Sequence, residues 1–297
     1  MLTQLGDAPV AGVPMGNVAL LRLDRGGGLA PGNKQFKLRP NLEEARRQGI
    51  NRLVSFGGAW SNHLHALAAV GAEQGFATVG IVRGDDGGAE SATLADARRW
   101  GMQIERVSRQ EYRRRHDADY LEQLQQRHAP CLVIPEGGAN IEAALGCAAI
   151  AGSIRALAPA IGHILVPVGT GTTLAGLVAG LGGAYEVTGV AALKGATDLA
   201  QRTGELLDRM AAGDRARWRI LHDHHCGGFA RVSSGLREFM LAFEAVHEVA
   251  LDPVYTGKML YAVHQRLLGG EYAADVPLLA VHTGGLQGRR GYAWLAH

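Results

Sequence analysis

Lys34 is the residue around which chemistry can first be read. It sits in PGNKQFKL (residues 31–38), directly after Gly-Asn at what reads as a helix start. The exposed amides of such a start disfavour an ammonium group and make the neutral amine easier to obtain. A neutral lysine is what condenses with a carbonyl carbon to form a Schiff base. A single lysine is far more commonly an ordinary surface residue, so the reading depends on its companions.

Three other glycine-rich segments supply them. In VSFGGAWSNH (residues 54–63) a strand ends in Gly57-Gly58 and a helix begins near Ser61-Asn62. That places both side chains beyond the carboxyl end of a strand, where open α/β sheets bind ligands; either one can also be a plain helix cap. Trp60 in the same loop reads as a packing residue that could also narrow or cap a substrate pocket. In VPVGTGTTLAG (residues 166–176) strand, turn and helix start make a phosphate cradle from the amides and hydroxyls of Gly169, Thr170, Gly171, Thr172 and Thr173. The segment lacks the Gly-Lys-Ser/Thr ending of a nucleotide-binding loop, which argues against a kinase or ATPase. Last, DPVYTGK (residues 252–258) and VHTGG (residues 281–285) each set a hydroxyl residue, Thr256 and Thr283, just before glycine, where it could meet a heterocycle nitrogen.

These segments lie far apart in sequence and must be brought together by the elements between them. Short apolar runs at 52–56, 77–82, 131–134, 163–168, 187–192 and 277–281 alternate with helical stretches, of which 62–75 and 140–158 are the clearest, each opened by an asparagine able to cap it. That alternation is the pattern of parallel sheets covered by helices. With 297 residues and 47% hydrophobic content, the chain can bury two cores. The expected division is a smaller lobe over residues 41–136, three or four βα units, inserted in a larger lobe built from both ends.

Composition excludes several classes of partner. Thirty basic against 28 acidic residues leave a net charge of +2, no field for nucleic acid. The run Arg113 to Arg115 is interleaved with Glu111, Asp117, Asp119 and Glu122 and reads as a solvated helix face. Three widely spaced cysteines, 131, 147 and 226, argue for a reducing compartment, and MLTQLGDAPV is unlike a secretory signal, so the cytoplasm is expected. Residues 164–184 carry no charge over a membrane-spanning length, yet Pro167 and six glycines interrupt them, so no membrane partner is expected. The run His222-Asp-His-His-Cys226 has zinc-ligand types, but adjacent residues rarely reach one ion, and no metal is expected.

Taken in order, these segments resemble the fold-type-II pyridoxal-phosphate enzymes, and within them the branch of D-cysteine desulfhydrase and 1-aminocyclopropane-1-carboxylate deaminase. GNKQFKL, LVSFGGAWSNH, VIPEGGANIEAALG, PVGTGTTLAGL, DPVYTGK and HTGG match that pattern from about residue 17 onward. The resemblance implies a two-lobed α/β fold like that of the tryptophan synthase β subunit, with a mostly parallel sheet in each lobe. Residues 1–40 and 137–297 would form the large cofactor-binding domain and 41–136 the small inserted one. It implies pyridoxal 5'-phosphate as cofactor, Lys34 as its Schiff-base lysine and the base at Cα, and Asn62 as partner of the pyridoxal 3'-oxygen. Gly169 to Thr173 would hold the phosphate, and Ser61 and Tyr255 would face a small amino-acid substrate. A homodimer is implied as well.

Two positions bear on the reaction. Deaminases of this branch carry Glu and Leu where this chain has Thr256 and Thr283. A carboxylate beside the pyridine nitrogen makes the deep electron sink that ring opening demands, whereas a hydroxyl supports the easier β-elimination of a thiol. The reading therefore favours D-cysteine, or a related β-substituted D-amino acid, giving pyruvate, ammonia and sulfide. Deamination of 1-aminocyclopropane-1-carboxylate is the alternative; racemase or dehydratase activity and a non-catalytic ligand-binding protein stand behind it. One departure stands out: the family's second active-site tyrosine falls, 26 residues before Tyr255, on Phe229.

Overall fold

The structure is a computed structural model that describes residues 1–84 and 90–295. It is α/β throughout and divides into two compact units: Met1–Gly26 with Cys147–Leu286, and Gly27–Gly146 with the C-terminal residues from Gln287.

The first unit is built on a six-stranded sheet in the order β1-β2-β10-β7-β8-β9. Its strands are β1 (Leu2–Gln4), β2 (Val18–Arg22), β7 (His163–Val168), β8 (Glu186–Ala191), β9 (Arg217–Leu221) and β10 (Leu278–His282). All neighbours are parallel except the edge pair β1 and β2. Strands β2 and β10 are buried along their whole length, as central parallel strands covered on both faces must be. Helices α7 (Thr172–Gly180), α8 (Leu199–Met210), α9 (Ser234–His247) and α10 (Thr256–Leu268) complete this unit.

The second unit carries a fully parallel four-stranded sheet, β5-β4-β3-β6, from β3 (Arg52–Gly57), β4 (Ala77–Arg83), β5 (Gln103–Val107) and β6 (Leu132–Ile134). Its helices are α1 (Asn33–Arg47), α2 (Asn62–Gln74), α3 (Ala92–Arg99), α4 (Arg109–Arg113) and α5 (Ala118–His128), while α6 (Ile141–Leu157) carries the boundary between Gly146 and Cys147. The sequence division at 41 and 136 thus falls inside this unit. The reason is packing: Leu38, Leu42 and Ala45 of α1 share one buried cluster with Leu64, Leu67 and Ala68 of α2, so the helix bearing Lys34 folds with the smaller sheet.

Proline and glycine shape one contact there. Pro40 lies inside α1 and has no N–H to give the Phe36 carbonyl. A Cβ on Gly146 would lie 2.1 Å from that oxygen and 2.8 Å from Pro40 Cγ, so only glycine admits α6 at this spot. No helix among the described residues is long and apolar enough to cross a membrane.

Candidate active site

In the second unit, Lys34 is the second residue of α1, after Gly32 at φ +138° with no side-chain cap. Its Nζ donates to Asn33 Oδ1 at 3.1 Å. Lys37, one turn on, is buried, and its Nζ donates to the Gly137 carbonyl at 3.0 Å. The two lysines of GNKQFK thus have different surroundings: Lys34 is half-buried at the helix start, and Lys37 is tied to the EGG turn.

Both charges act on His63. Its ring is held well below its ordinary pKa by complete burial and then by Lys34 and Lys37. Ser55 Oγ donates to the Ile134 carbonyl at 2.7 Å, so at 2.9 Å it accepts from His63 Nε2. The neutral ring therefore keeps its lone pair on Nδ1, buried and without a hydrogen-bond partner among the described residues.

Strand β3 ends at Gly57, and a Cβ there would come within 2.5 Å of Ser61 Cβ and Oγ; the sharp turn into α2 needs glycine. Ser61, not Asn62, caps α2 by accepting from the Leu64 amide at 3.2 Å. As a cap the hydroxyl uses a lone pair only, so its proton remains to be donated. Asn62 is then the first helical residue, and its Oδ1 accepts from Gln287 Nε2 at 2.6 Å. Asn140 does cap its helix, accepting from the Ala143 amide at 3.0 Å. The Trp60 ring lies against the C-terminal turn Leu286–Gly291, 3.2 Å from the position of a Cβ on Gly291.

In the first unit, the Gly169 to Thr173 segment follows β7. Gly171 takes φ +84° and opens α7 with no side-chain cap, whereas α2, α3, α4 and α9 are each capped by a serine. Side chains are kept out: a Cβ at Gly171 would meet Thr203 Oγ1 at 2.5 Å, and one at Gly169 would meet the Tyr255 ring at 3.1 Å. Thr170 and Thr172 share a hydroxyl hydrogen bond of 2.9 Å. A bare, uncapped helix start flanked by threonines fits a phosphate monoester.

Tyr255 thus lies over the first glycine of that loop, and the Phe229 ring meets it edge-on at 6.3 Å between centroids. The position reached by counting back from Tyr255 does border that tyrosine. Asp252 holds this region. Its carboxylate accepts from the amides of Val254, Tyr255 and Thr256 at 3.0, 2.7 and 2.9 Å and from Thr256 Oγ1 at 3.0 Å. Burial pushes the Asp252 carboxyl up and these donors pull against it. Thr256 is fully buried; its Oγ1 accepts from the Asp252 amide at 3.0 Å and donates its single proton to the carboxylate.

Thr283 is buried at the end of β10. The preceding His282 is fixed at both nitrogens, 3.2 Å from Asp24 Oδ1 and 2.9 Å from the Ala250 carbonyl. Sequence reasoning gave no role to Lys258, the last residue of DPVYTGK. It is fully buried and donates to the carbonyls of Ala192 and Gly228 at 3.1 and 2.6 Å, tying down the turn that carries Phe229. Burial brings its pKa down to about 8. In the His-rich run, His224 pairs with Asp223 and His225 accepts from the Gly227 amide. No group of three metal-ligand residues converges among the described residues.

A D-cysteine desulfhydrase of Klebsiella pneumoniae is 28% identical over 277 residues, 86% of this chain and 82% of that protein. A Pyrococcus furiosus protein provisionally named a 1-aminocyclopropane-1-carboxylate deaminase is 26% identical over 276 residues, 88% and 82% of the two chains. The crystal structure of an ACC deaminase homologue matches with a TM-score of 0.82 at 24% identity, covering 95% of this chain and 87% of that one. The pyridoxal-phosphate dependent enzyme family matches residues 24–284, most of the chain and nearly all the segments just described; the protein belongs to that family, and its cofactor is pyridoxal 5'-phosphate.

Proposed function

We propose that the chain is a lyase that eliminates the β-substituent of a small D-amino acid, with D-cysteine as the favoured substrate and pyruvate, ammonia and sulfide as products. The observation that carries this reading is that positions 256 and 283, Glu and Leu in the deaminase pattern that the sequence resembles, are threonines in this chain, so that position 256 offers no carboxylate. The names borne by the two relatives, a desulfhydrase and a deaminase, frame the choice.

When bound, pyridoxal 5'-phosphate supplies the electron sink that takes up charge developing at Cα. The remaining roles fall to the chain. The amides and hydroxyls of Gly169 to Thr173 would hold the phosphate, Asn62 would bond the 3'-oxygen, and Lys34 would hold the aldehyde carbon in the resting protein and, as the free amine once substrate takes its place, accept the Cα proton. Ser61 gives its hydroxyl proton to the substrate carboxylate, since capping α2 occupies only a lone pair. Tyr255 hands a proton to the departing thiolate as the Cβ–S bond breaks; the enamine released then hydrolyses to pyruvate and ammonia. Thr283 rather than Thr256 would donate to the pyridine nitrogen, because Thr256 has given its one proton to Asp252.

Pyruvate release from D-cysteine by the cofactor-loaded protein, beside L-cysteine, the cyclopropane amino acid and Lys34→Ala, tests the reading. Release from D-cysteine alone, abolished in the variant, supports it; ring opening as the faster reaction would replace it with the deaminase. The reading also carries a homodimer, which sedimentation equilibrium checks.

A further inference from the structure

The C-terminal residues Gln287–Gly291 meet α2, α3 and the turn that precedes α2. Gln287 Nε2 donates to Asn62 Oδ1 at 2.6 Å, Arg290 pairs with Asp96, and Gly291 packs on Trp60. Asp96 in turn accepts from His65 at 3.1 Å, and Arg290 Nε holds the Gln287 carbonyl at 3.1 Å. The latch therefore ends on the amide of Asn62.

A carboxamide has nearly the same shape after a 180° turn, but the turn exchanges a donor for an acceptor. Asn62 is the first residue of α2, and among the described residues the bond from Gln287 is the one that chooses between its two orientations. We propose that Gln287 is a positioning residue for the cofactor ring: by donating to Asn62 Oδ1 it commits the Asn62 amide to present Nδ2–H, and not its oxygen, to the pyridoxal 3'-oxygen. This rests on the reading of Asn62 given above. The 3'-oxygen is acidic and carries negative charge in the bound cofactor, so a donor stabilises it and a carbonyl oxygen repels it. Oriented wrongly, the same side chain would do the opposite of its task.

The test is the pH titration of the visible absorbance of bound cofactor in wild type, Asn62→Ala, Gln287→Met and Gln287→Glu, with the unfolding midpoint of each cofactor-free protein as control. A bond donated to the 3'-oxygen favours the deprotonated chromophore, so its loss raises the titration midpoint. Asn62→Ala should raise it by about one unit, the order expected for a hydrogen bond to a charged group. Gln287→Glu, equal in size but able only to accept when ionised, turns the Asn62 amide and should raise it at least as much. Gln287→Met, which only releases the amide, should raise it less. If Asn62→Ala shifts the midpoint while Gln287→Glu leaves it at the wild-type value, the reading of Asn62 stands and the proposal fails, the pair being oriented the other way. Equal shifts in the two Gln287 variants that track their loss of stability overturn it as well. No shift in Asn62→Ala removes both the Asn62 reading and the proposal.

Discussion

Replacing Thr256 by valine is a shape-conserving change that isolates one hydroxyl. The side chain is fully buried, so no water replaces what is lost. Two bonds go: the Asp252 amide loses its acceptor at 3.0 Å, and the Asp252 carboxylate loses its hydroxyl donor at 3.0 Å. A buried amide left unpaired costs about 1–3 kcal/mol, and a bond to a charged group contributes about 1.5–3 kcal/mol. The added buried methyl returns roughly 0.8 kcal/mol. The net expectation is a loss of about 2–5 kcal/mol, read as a lower urea midpoint at unchanged slope. Thr256→Ser keeps both bonds and should lose only about 1 kcal/mol for the missing methyl group. Because the same carboxylate fixes the Tyr255 amide at 2.7 Å, pyruvate release should fall in the valine variant and not in the serine one. Valine and serine variants unfolding together within ~0.5 kcal/mol of wild type would refute the reasoning, since a bond between buried groups cannot then be what holds the turn.

Three other perturbations have definite outcomes. Lys258→Met removes a buried ammonium whose pKa burial lowers to about 8, but takes its donor from the Ala192 carbonyl and leaves the Gly228 carbonyl with the Arg231 amide alone; global stability should change by under about 2 kcal/mol, while trypsin cuts after Arg231 faster because the Phe229 turn is loosened. Phe229 is half exposed, 51%, so Phe229→Tyr should leave stability within ~0.5 kcal/mol; with its new hydroxyl beside Tyr255 it should raise kcat/KM for the cyclopropane amino acid relative to D-cysteine. His63 is held far below its unfolded value of 6.5 by burial and the two lysines, so below that value the unfolded chain takes up a proton that the folded one does not. Stability present above pH 6.5 should therefore decline as pH falls, by ~1 kcal/mol per unit below about pH 6 from this residue, and His63→Gln should flatten that part of the urea-midpoint profile.

Much of the fold was legible because buried parallel strands are written as short apolar runs. The runs at 52–56, 77–82, 131–134, 163–168, 187–192 and 277–281 correspond to β3, β4, β6, β7, β8 and β10. Strands β5 and β9 were missed for a physical reason: edge strands carry charge, here Glu105, Arg106, Arg217 and Arg219, and break the apolar pattern. The five residues of β2 were short enough to pass as loop. The helix starts at Lys34 and after Asn140 were read correctly, while the cap at 61–62 belongs to Ser61. The residues to which the sequence did not point share one property. Asp252, Lys258, His63 and Gln287 act through partners distant in sequence or through backbone groups, which periodicity does not encode. For Asp252 alone a local signal existed: an aspartate four residues ahead of a threonine that opens a helix.

The central claim is that Lys34, and not the buried Lys37 three residues on, carries the cofactor. Borohydride reduction of the pyridoxal 5'-phosphate-loaded protein, followed by peptide mass mapping, reads this directly. The account predicts one phosphopyridoxyl group per chain, on Lys34, and none in Lys34→Ala. A modification that maps to Lys37, or one that persists unchanged in Lys34→Ala, would contradict it.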